Sequence, residues 1–472
     1  MRPFPLSLAL LLAACTETAP RPPPSDRFIF PSGLVHRLPS GSTSGVLYVA
    51  SANFDRCFDQ GTVMAVDLDR VGLPALGTAP HDEPLWLKEL QLSPQSRVFI
   101  QSYAGEMGIW DRPPDAEGRP VGSRLFVPAR ADGDFVHYID ASPTEPTQLS
   151  CGGSDDCVTN GAVSLAKLEG QQNDLPRAPA PFGLEVTDQG DVWVTHLEPA
   201  DSPARSRTGF QSYVVRLNGR APSVSASELL PLSSGNLAVG GSHSVKVTDR
   251  YVLVSGRTTL AQQTTQTRPF LVRVLEKSTG RIIDPALDFS FAAQEARGFA
   301  LTERNPAAPT SPQRLYVAVR GPDSLLIVNA QGLDTELPRL SVVGSVPMPD
   351  GPTQVKLVSR GQGRSELVVV SCSAAGVVAI YDPDVGQVVA QVPVDVAPGQ
   401  PRSDVDPQPF ALDVQQQGNA ARLFVSNFGD GRVSVIDIED LGSPQQARLV
   451  AWLGKRQNQD GEGSNTCQGV EQ

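Results

Sequence analysis

The sequence predicts an all-β protein, a β-propeller of seven four-stranded blades. The clearest signal is Leu423–Asp437, LFVSNFGDGRVSVID, in which two stretches of alternating apolar residues flank a Gly-containing turn. Looser copies precede it at intervals of 52 to 78 residues, as in repeat architectures. Gly and Pro each number 42 in 472 residues, so turns are frequent. Four strands per unit around an axis form a propeller blade, whose two apolar faces are buried only by neighbouring blades.

The first residues have the features of a bacterial secretion signal. Arg2 supplies a positive charge, and Leu6–Ala14 is an apolar run too short to span a bilayer. The run ends in Leu12–Cys15 (LAAC), which resembles the bacterial lipobox. That resemblance implies cleavage before Cys15 and its modification by a diacylglyceryl group and a further acyl chain such as palmitate. Two or more acyl chains make a stable membrane anchor. An ordinary secretory signal with a chance cysteine is the alternative.

These features divide the chain into four predicted parts. Residues 1–14 are the signal peptide, 15–27 the lipidated cysteine and a Pro-rich tether, 28–454 a single propeller domain, and 455–472 a polar tail. The tether, extended at about 3.1 Å per residue, would place the propeller roughly 35 Å from the bilayer. The predicted location is a bacterial cell envelope, with the chain anchored in the outer membrane and facing the periplasm or the cell surface.

Each repeat unit has a leading strand, a variable loop and a second strand that often closes with Asp or Asn. The leading strands start at Leu47, Leu125, Val192, Val252, Leu315, Leu367 and Leu423. Further strand-like segments precede five of them, at residues 181, 242, 297, 352 and 409, and others follow Gly280 and Gly386. These additions bring the units to the four strands of a blade.

The blade count and the closure of the ring stay open at this point. Six or eight blades are the alternatives, because Arg97–Ser102 fits either an outer strand of blade 1 or a separate blade. The end segments Phe28–Leu38 and Ala447–Leu453 are both strand-like. We therefore expect the two ends of the domain to contribute strands to the same blade or to neighbouring blades.

Blades 6 and 7 resemble the YVTN-type propeller repeat. That repeat reads Tyr-Val-Thr-Asn, a Gly-containing turn and Val-Ser-Val-Ile-Asp, and both Leu423–Asp437 and Tyr381–Val394 (YDPDVGQVVAQVPV) are close to parts of it. The similarity is moderate in blades 1 and 5 and loose in blades 2 to 4, where insertions interrupt it. It covers most of residues 33–454. The resemblance implies the fold but no single activity, because such propellers range from cell-surface binding modules to sugar-lactone hydrolases.

Five cysteines remain after the lipidated one, and export to the envelope permits disulfides. Cys151 and Cys157 enclose the flexible sequence Gly-Gly-Ser-Asp-Asp in the longest loop, so we predict a disulfide between them. Cys57 in blade 1 and Cys467 in the tail become neighbours if the ring closes, which predicts a second disulfide. Cys372 would then be a free, small, buried residue.

No residue pattern identifies a catalytic centre. The sequence lacks the Gly-x-Ser-x-Gly, Walker and His-Glu-x-x-His patterns, and we predict no catalytic residue, no metal site and no cofactor. The strand alignment places His196 and His243 at strand ends near the mouth of the channel, so they are candidate ligand-contacting residues. Solvated or hydrogen-bonded loop histidines are the alternative.

The net charge of −12 argues against nucleic-acid binding, which needs clustered basic residues. Long, dissimilar loops on a rigid ring favour a non-enzymatic binding or scaffold module with a protein or glycan ligand on the loop face. The other expected partner is the membrane, through the lipid anchor. A lactonase-like or quinoprotein-like envelope enzyme is the first alternative, and an assembly factor that docks envelope proteins is the second.

Overall fold

A computed structural model of the full chain describes residues 21–80, 83–131, 133–165, 180–198, 212–221, 223–232, 241–256, 270–288, 295–304, 313–361, 363–396 and 405–456. These residues form seven antiparallel sheets around a common axis, so the predicted seven-bladed propeller is confirmed. Within these ranges, no helix is long and apolar enough to cross a membrane.

Blades 1 and 2 are the irregular ones. Blade 1 contains, in chain order, β1 (Pro31–Arg37), β2 (Val46–Ser51), β3 (Gly61–Asp67) and the outer strand β5 (Arg97–Ile100). Strand β4 (Leu85–Leu87) lies between β3 and β5 in the sequence but joins the sheet of blade 7. Blade 2 contains β6 (Gly108–Asp111), β7 (Ser123–Ala129), β8 (Phe135–Ala141), β9 (Leu149–Ser150) and β10 (Ala162–Ser164), and both β9 and β10 pair with β8. A short helix, α1 (Cys157–Asn160), lies between β9 and β10. The segment Arg97–Ser102 therefore supplies the outer strand of blade 1, one of the two predicted placements.

The other five blades run from the axis outward in chain order. Blade 3 contains β11 (Pro181–Val186), β12 (Asp191–His196), β13 (Tyr213–Asn218) and β14 (Ser225–Pro231), and blade 4 contains β15 (Ser242–Val247), β16 (Tyr251–Gly256), β17 (Phe270–Glu276) and β18 (Ile282–Asp288). Blade 5 contains β19 (Glu295–Leu301), β20 (Gln313–Arg320), β21 (Ser324–Gln331) and β22 (Arg339–Pro347). Blade 6 contains β23 (Pro352–Val358), β24 (Leu367–Cys372), β25 (Val377–Asp382) and β26 (Gln387–Pro393). Blade 7 contains β27 (Pro409–Gln417), β28 (Ala420–Asn427), β29 (Arg432–Ile438) and β30 (Arg448–Leu453).

The seven leading strands predicted from the sequence are the second strands of the blades, namely β2, β7, β12, β16, β20, β24 and β28. Strands such as β2 and β24 are buried along their whole length, because each side of a second strand packs against a different neighbouring blade. In β2, for example, Leu47 and Val49 pack with Phe424 of blade 7, whereas Tyr48 packs with Leu125 of blade 2. Burying each such side chain stabilises the fold by about 1.5–3 kcal/mol.

The ring closes between blades 7 and 1, where the end segments of the domain supply β1 to blade 1 and β30 to blade 7. Strand β4, from the connection between β3 and β5, also pairs in parallel with β30, and Trp86 lies opposite Trp452. The indole Nε1 of Trp86 donates to the carbonyl of Gly454 at 2.9 Å. At the same seam Lys455 Nζ lies 2.6 Å from the Asp26 carboxylate. The two ends therefore lie in neighbouring blades, one of the predicted arrangements.

A buried arginine also stabilises this seam. The Arg422 side chain on β28 is fully buried, and its guanidinium donates to the Asp437 carboxylate at 2.7 and 2.8 Å. It also donates to the backbone carbonyls of Pro74 and Ala75, at 2.7 and 3.4 Å, in the loop that follows β3. One side chain of blade 7 thus satisfies carbonyl groups of blade 1.

Blade 2 uses the same arrangement toward blade 3. Arg124 on β7 donates to Asp140 at 2.7 and 3.1 Å, and also to the carbonyls of Gly219 and Ala221. In both blades the arginine lies opposite its aspartate on the neighbouring strand. Asp140 and Asp437, which close third strands, therefore have a structural role in joining blades.

Candidate functional site

Six aromatic side chains cluster at the end of the propeller where the inner strands begin. We call this cluster the aromatic rim; its members are Phe30, Phe54, Tyr103, Phe182, Phe410 and Phe428. They come from blades 1, 3 and 7 and from the connection between blades 1 and 2, and they surround one end of the axis. Because they lie at or just beyond the ends of strands from different blades, no single stretch of sequence shows the rim.

The rings of the rim form a continuous circuit. Phe54 contacts Tyr103 and Phe428, with ring centroids 5.2 and 5.5 Å apart, and Phe428 contacts Phe410 at 5.9 Å. Phe410 meets Phe182 edge-on at 5.9 Å. The Arg130 guanidinium closes the circuit, lying 5.7 Å from the Tyr103 ring and 5.5 Å from the Phe182 ring.

Left-handed backbone residues fix the position of the rim. Phe30, Ala180 and Gln408 have φ values of 51°, 51° and 47°, and each precedes the Pro that opens an inner strand. Such a conformation costs a non-glycine residue on the order of 1–3 kcal/mol, so the surrounding contacts must enforce it. The carbonyl of each accepts a hydrogen bond from the residue just beyond a second strand, at 2.9 to 3.1 Å. These bonds join the start of each inner strand to the end of its neighbour.

Exposure distinguishes the members of the rim. Phe54 is 47% exposed and Phe182 only 5%. Phe30, Tyr103, Phe410 and Phe428 are half-buried. The rim therefore presents one exposed ring on a surface otherwise made of partly covered aromatic edges.

The two histidines singled out from the sequence lie beside this rim. His196 ends β12, and His243 is on the inner strand β15, and both are buried. They are close, because the hydroxyl of Ser242 contacts the backbone N–H and carbonyl of His196. The His243 ring lies 4.6 Å from that of Phe182. Strand ends do bring these histidines together, and a ligand-contacting role for them stays a prediction.

Farther along the axis lies a cavity of about 220 Å³. Its walls are the middle and carboxyl-terminal parts of four inner strands, β11, β15, β19 and β23, together with Glu106 from the segment before β6. We call it the axial cavity. The half-exposed lysines Lys246 and Lys356 mark its solvent side.

Glu106 reaches into the axial cavity from the rim side. Its backbone N–H donates to the carbonyl of Phe182 at 2.9 Å, which fixes it directly beneath the rim. Its carboxylate accepts a hydrogen bond from Gln354 Nε2, on the far side of the axis, at 3.3 Å. Gln354 is oriented in turn, because its side-chain oxygen accepts from the backbone N–H of Leu412.

Burial raises the pKa of Glu106 to about 7, against the opposing effects of Lys356 and of the hydrogen bonds to the carboxylate. Such a group can hold or release a proton at neutral pH, as general acids and bases do. Sequence reasoning missed Glu106. It lies in an irregular segment, YAGEMG, where a lone acid among small and apolar residues was the only available signal.

Oppositely charged side chains pair across blades on the inner strands. Lys246 Nζ lies 2.5 Å from Glu185, and Lys356 Nζ lies 3.8 Å from Asp413. Asp413 also accepts a 2.6 Å hydrogen bond from the backbone N–H of His36. The lysines of the cavity thus each face a carboxylate, whereas Glu106 has no ion pair within the described ranges.

The structure forms the disulfide predicted between Cys151 and Cys157. It closes the loop between β9 and α1, next to a second cavity of about 620 Å³ between blades 1 and 2. The arginines of that cavity are already engaged: Arg112, for example, donates to the carbonyl of Val121 at 2.8 Å and pairs with Asp140 at 3.3 Å. We therefore regard this cavity as part of the blade packing.

The structure tests the predictions for the other cysteines to different extents. Cys372 is free and buried, and burial raises the pKa of its thiol to about 12, so it is unreactive. Cys57 is disulfide-bonded, but its predicted partner, Cys467, lies outside the described residues. Cys15, with the signal peptide and most of the tether and tail, lies outside them too, so lipidation stays a prediction. Within the described ranges no group of three or more His, Cys, Asp or Glu is arranged to hold a metal ion.

No protein family model matches the chain, and no curated protein matches it in sequence. Solved structures are similar in fold. Hydrazine synthase from Kuenenia stuttgartiensis is 15% identical with a TM-score of 0.44, over 75% of this chain and 83% of its own. Dihydro-heme d1 dehydrogenase NirN is 12% identical with a TM-score of 0.45, over 90% and 67%, and a protein from Lactobacillus plantarum is 12% identical with a TM-score of 0.42, over 68% and 78%. At these identities the similarity concerns the fold and carries no argument about activity.

Proposed function

We propose that this protein is an envelope-anchored bacterial lipoprotein whose propeller is a non-enzymatic binding module. Its ligand is a protein that docks on the aromatic rim. The observation that carries the proposal is the rim itself, an assembly of phenylalanine, tyrosine and arginine side chains on the loop face. Aromatic residues and arginine are enriched at the energetic centres of protein interfaces.

The rim is organised in advance of binding. Its rings and the Arg130 guanidinium form a closed circuit of contacts, and the left-handed junctions hold the strand ends next to it. A rigid surface loses little side-chain entropy when it binds, which favours affinity. The exposed ring of Phe54 is the natural anchor, surrounded by partly buried neighbours that exclude water.

The ring geometry favours a protein over a glycan. Phe54 meets Phe30 and Phe428 at interplanar angles of 61° and 71°, and Phe182 meets Phe410 at 85°. The rings therefore present edges at varied angles instead of a flat stacking platform for a sugar. Such a surface suits irregular apolar side chains of a partner.

The lipobox at Leu12–Cys15 supports the envelope location. We expect metabolic labelling with palmitate to mark the wild-type protein and to fail with Cys15→Ser. The variant should also leave the membrane fraction. Unchanged labelling and fractionation of this variant would overturn the lipoprotein part of the proposal.

Site-specific photocrosslinking tests the rim. A benzoylphenylalanine placed at Phe54 in the membrane-anchored protein should give a discrete protein adduct in whole cells. The matched control is Leu337, which is 75% exposed in the turn between β21 and β22 at the other end of the propeller. The same adduct from Leu337, no adduct from Phe54, or binding of purified protein to glycans through Phe54 would each refute a protein ligand on the rim.

A further inference from the structure

We propose that the axial cavity is a second, separate binding site, which takes a small organic ammonium ion between Glu106 and Phe299. This inference does not depend on the aromatic rim or on its protein ligand. It depends on the shape, the charge and the aromatic wall of the cavity.

The shape fits a small molecule and not a protein segment. The volume of about 220 Å³ is equivalent to about seven waters at roughly 30 Å³ each. Apolar side chains of four blades, including Leu184, Phe299 and Leu357, form its walls. The polar side chains of its lining are those of the two lysines on the solvent side together with Glu106, Gln354, Glu185 and Ser244.

The charge balance favours a cation. Lys246 is paired with Glu185 at 2.5 Å, and Lys356 faces Asp413 at 3.8 Å. Glu106 forms no ion pair among the described residues, and the lysine that also faces it, Lys356, is shared with Asp413. Ionised Glu106 therefore gives these three carboxylates and two lysines a net charge of −1. A buried carboxylate of this kind is stabilised most by a cation that binds directly to it.

Phe299 supplies a second element of ammonium recognition. It is buried on β19 and lines the same cavity as Glu106. An aromatic face attracts a cation more strongly when both are removed from water. The carboxylate and the ring together discriminate an ammonium ion from a neutral molecule of equal size.

Binding should depend on the protonation of Glu106. The groups that face it are Gln354 and Lys356 on β23, Glu185 on β11 and Lys246 on β15, while β19 contributes Phe299 and other uncharged residues. Because burial raises the pKa of Glu106 to about 7, an ammonium ion must displace a proton below that pH. The apparent affinity should therefore be about tenfold weaker at pH 6 than at pH 8.

Calorimetric titration of the full mature protein in detergent tests the proposal. The probe is n-butylammonium chloride, with butyrate and 1-butanol as probes of equal size and different charge. We expect saturable binding of butylammonium alone, about tenfold tighter at pH 8 than at pH 6. Binding of butyrate, equal binding of butanol, or no heat from butylammonium at either pH would overturn it.

Variants assign the binding to the cavity. Glu106→Gln keeps the size of the side chain and should abolish binding and its pH dependence. Phe299→Leu keeps the wall apolar and should weaken binding roughly three- to thirtyfold through loss of the cation–π contact. The matched control is Glu117→Gln, a mostly exposed acid of blade 2, which should bind like wild type. Unchanged binding in Glu106→Gln would refute the site even if the rim proposal held.

Discussion

Replacing Glu106 with Gln should make the protein more stable at alkaline pH, and the gain should grow with pH. The pKa of Glu106 is raised from an ordinary 4.5 to about 7, chiefly by burial. The unfolded chain therefore ionises this group at lower pH than the folded chain. The stabilising contribution of protonated Glu106 is fully present below about pH 4.5 and is lost as the pH rises through about 7.

The magnitude follows from the two pKa values. A difference of about 2.5 units corresponds to at most about 3 kcal/mol, and between pH 5 and pH 8 the loss is about 2.5 kcal/mol. The glutamine side chain is uncharged, so the Glu106→Gln variant does not lose this stability as the pH rises. It does exchange one acceptor oxygen for an amide beside Gln354, but that effect is the same at both pH values. The pH dependence of the difference therefore isolates the charge.

Urea denaturation at pH 5 and pH 8, at matched ionic strength, measures this difference. The unfolding free energy of Glu106→Gln relative to wild type should rise by about 2.5 kcal/mol between the two pH values. Glu117→Gln, on the exposed surface, should show no such rise. A difference that is flat with pH would mean that Glu106 is ionised at ordinary pH, and our account of the cavity would be wrong.

Three further perturbations test the packing. Arg422→Met should lower the unfolding free energy measured in urea by about 3–5 kcal/mol, because the Asp437 carboxylate stays buried without its partner. Adding Asp437→Leu should restore part of this stability. A double variant no more stable than Arg422→Met would contradict a role through this ion pair. Replacing Cys151 and Cys157 with Ser should lower the unfolding free energy by about 2 kcal/mol. Reductant should have no further effect at this loop in the double variant. A wild-type protein that keeps its full stability after reduction would contradict this prediction. Burial lowers the pKa of His137 to about 4, so the unfolding free energy should fall by up to about 3 kcal/mol as the pH drops from 6.5 toward 4. In His137→Gln this free energy should fall less steeply with decreasing pH. Parallel plots of unfolding free energy against pH for the two proteins would exclude the histidine as the cause.

The blades could be predicted from the sequence because second strands are packed on both sides. Apolar residues at Leu47, Tyr48 and Val49 serve two different interblade cores, and the same demand recurs in every blade. The requirement for apolar residues on both sides of these strands therefore repeats along the sequence and can be recognised without a structure. The Asp residues at the ends of third strands were visible too, although their arginine partners were not recognised.

The ring closure and the axial site could not be predicted in this way. Strand β4 has three residues, Leu85–Leu87, and parallel pairing with β30 leaves no periodic signal in so short a segment. Glu106 acquires its surroundings from Gln354, 248 residues away, so nothing near it in sequence reveals its burial. Phe30, Phe54 and Phe428 likewise meet only because blade 7 returns to blade 1.

The pairing of β4 with β30 has a consequence for how the chain is made. Every other described strand finds its partners within its own blade, so each blade can assemble soon after its residues are synthesised. Leu85–Leu87 must instead wait for Ala451–Leu453, more than 360 residues later. Until then the Trp86 segment has no strand partner and stays accessible to chaperones and to other copies of the chain. A segment made with the first blade thus completes the sheet of the last, so the closing sheet forms only after both have been synthesised.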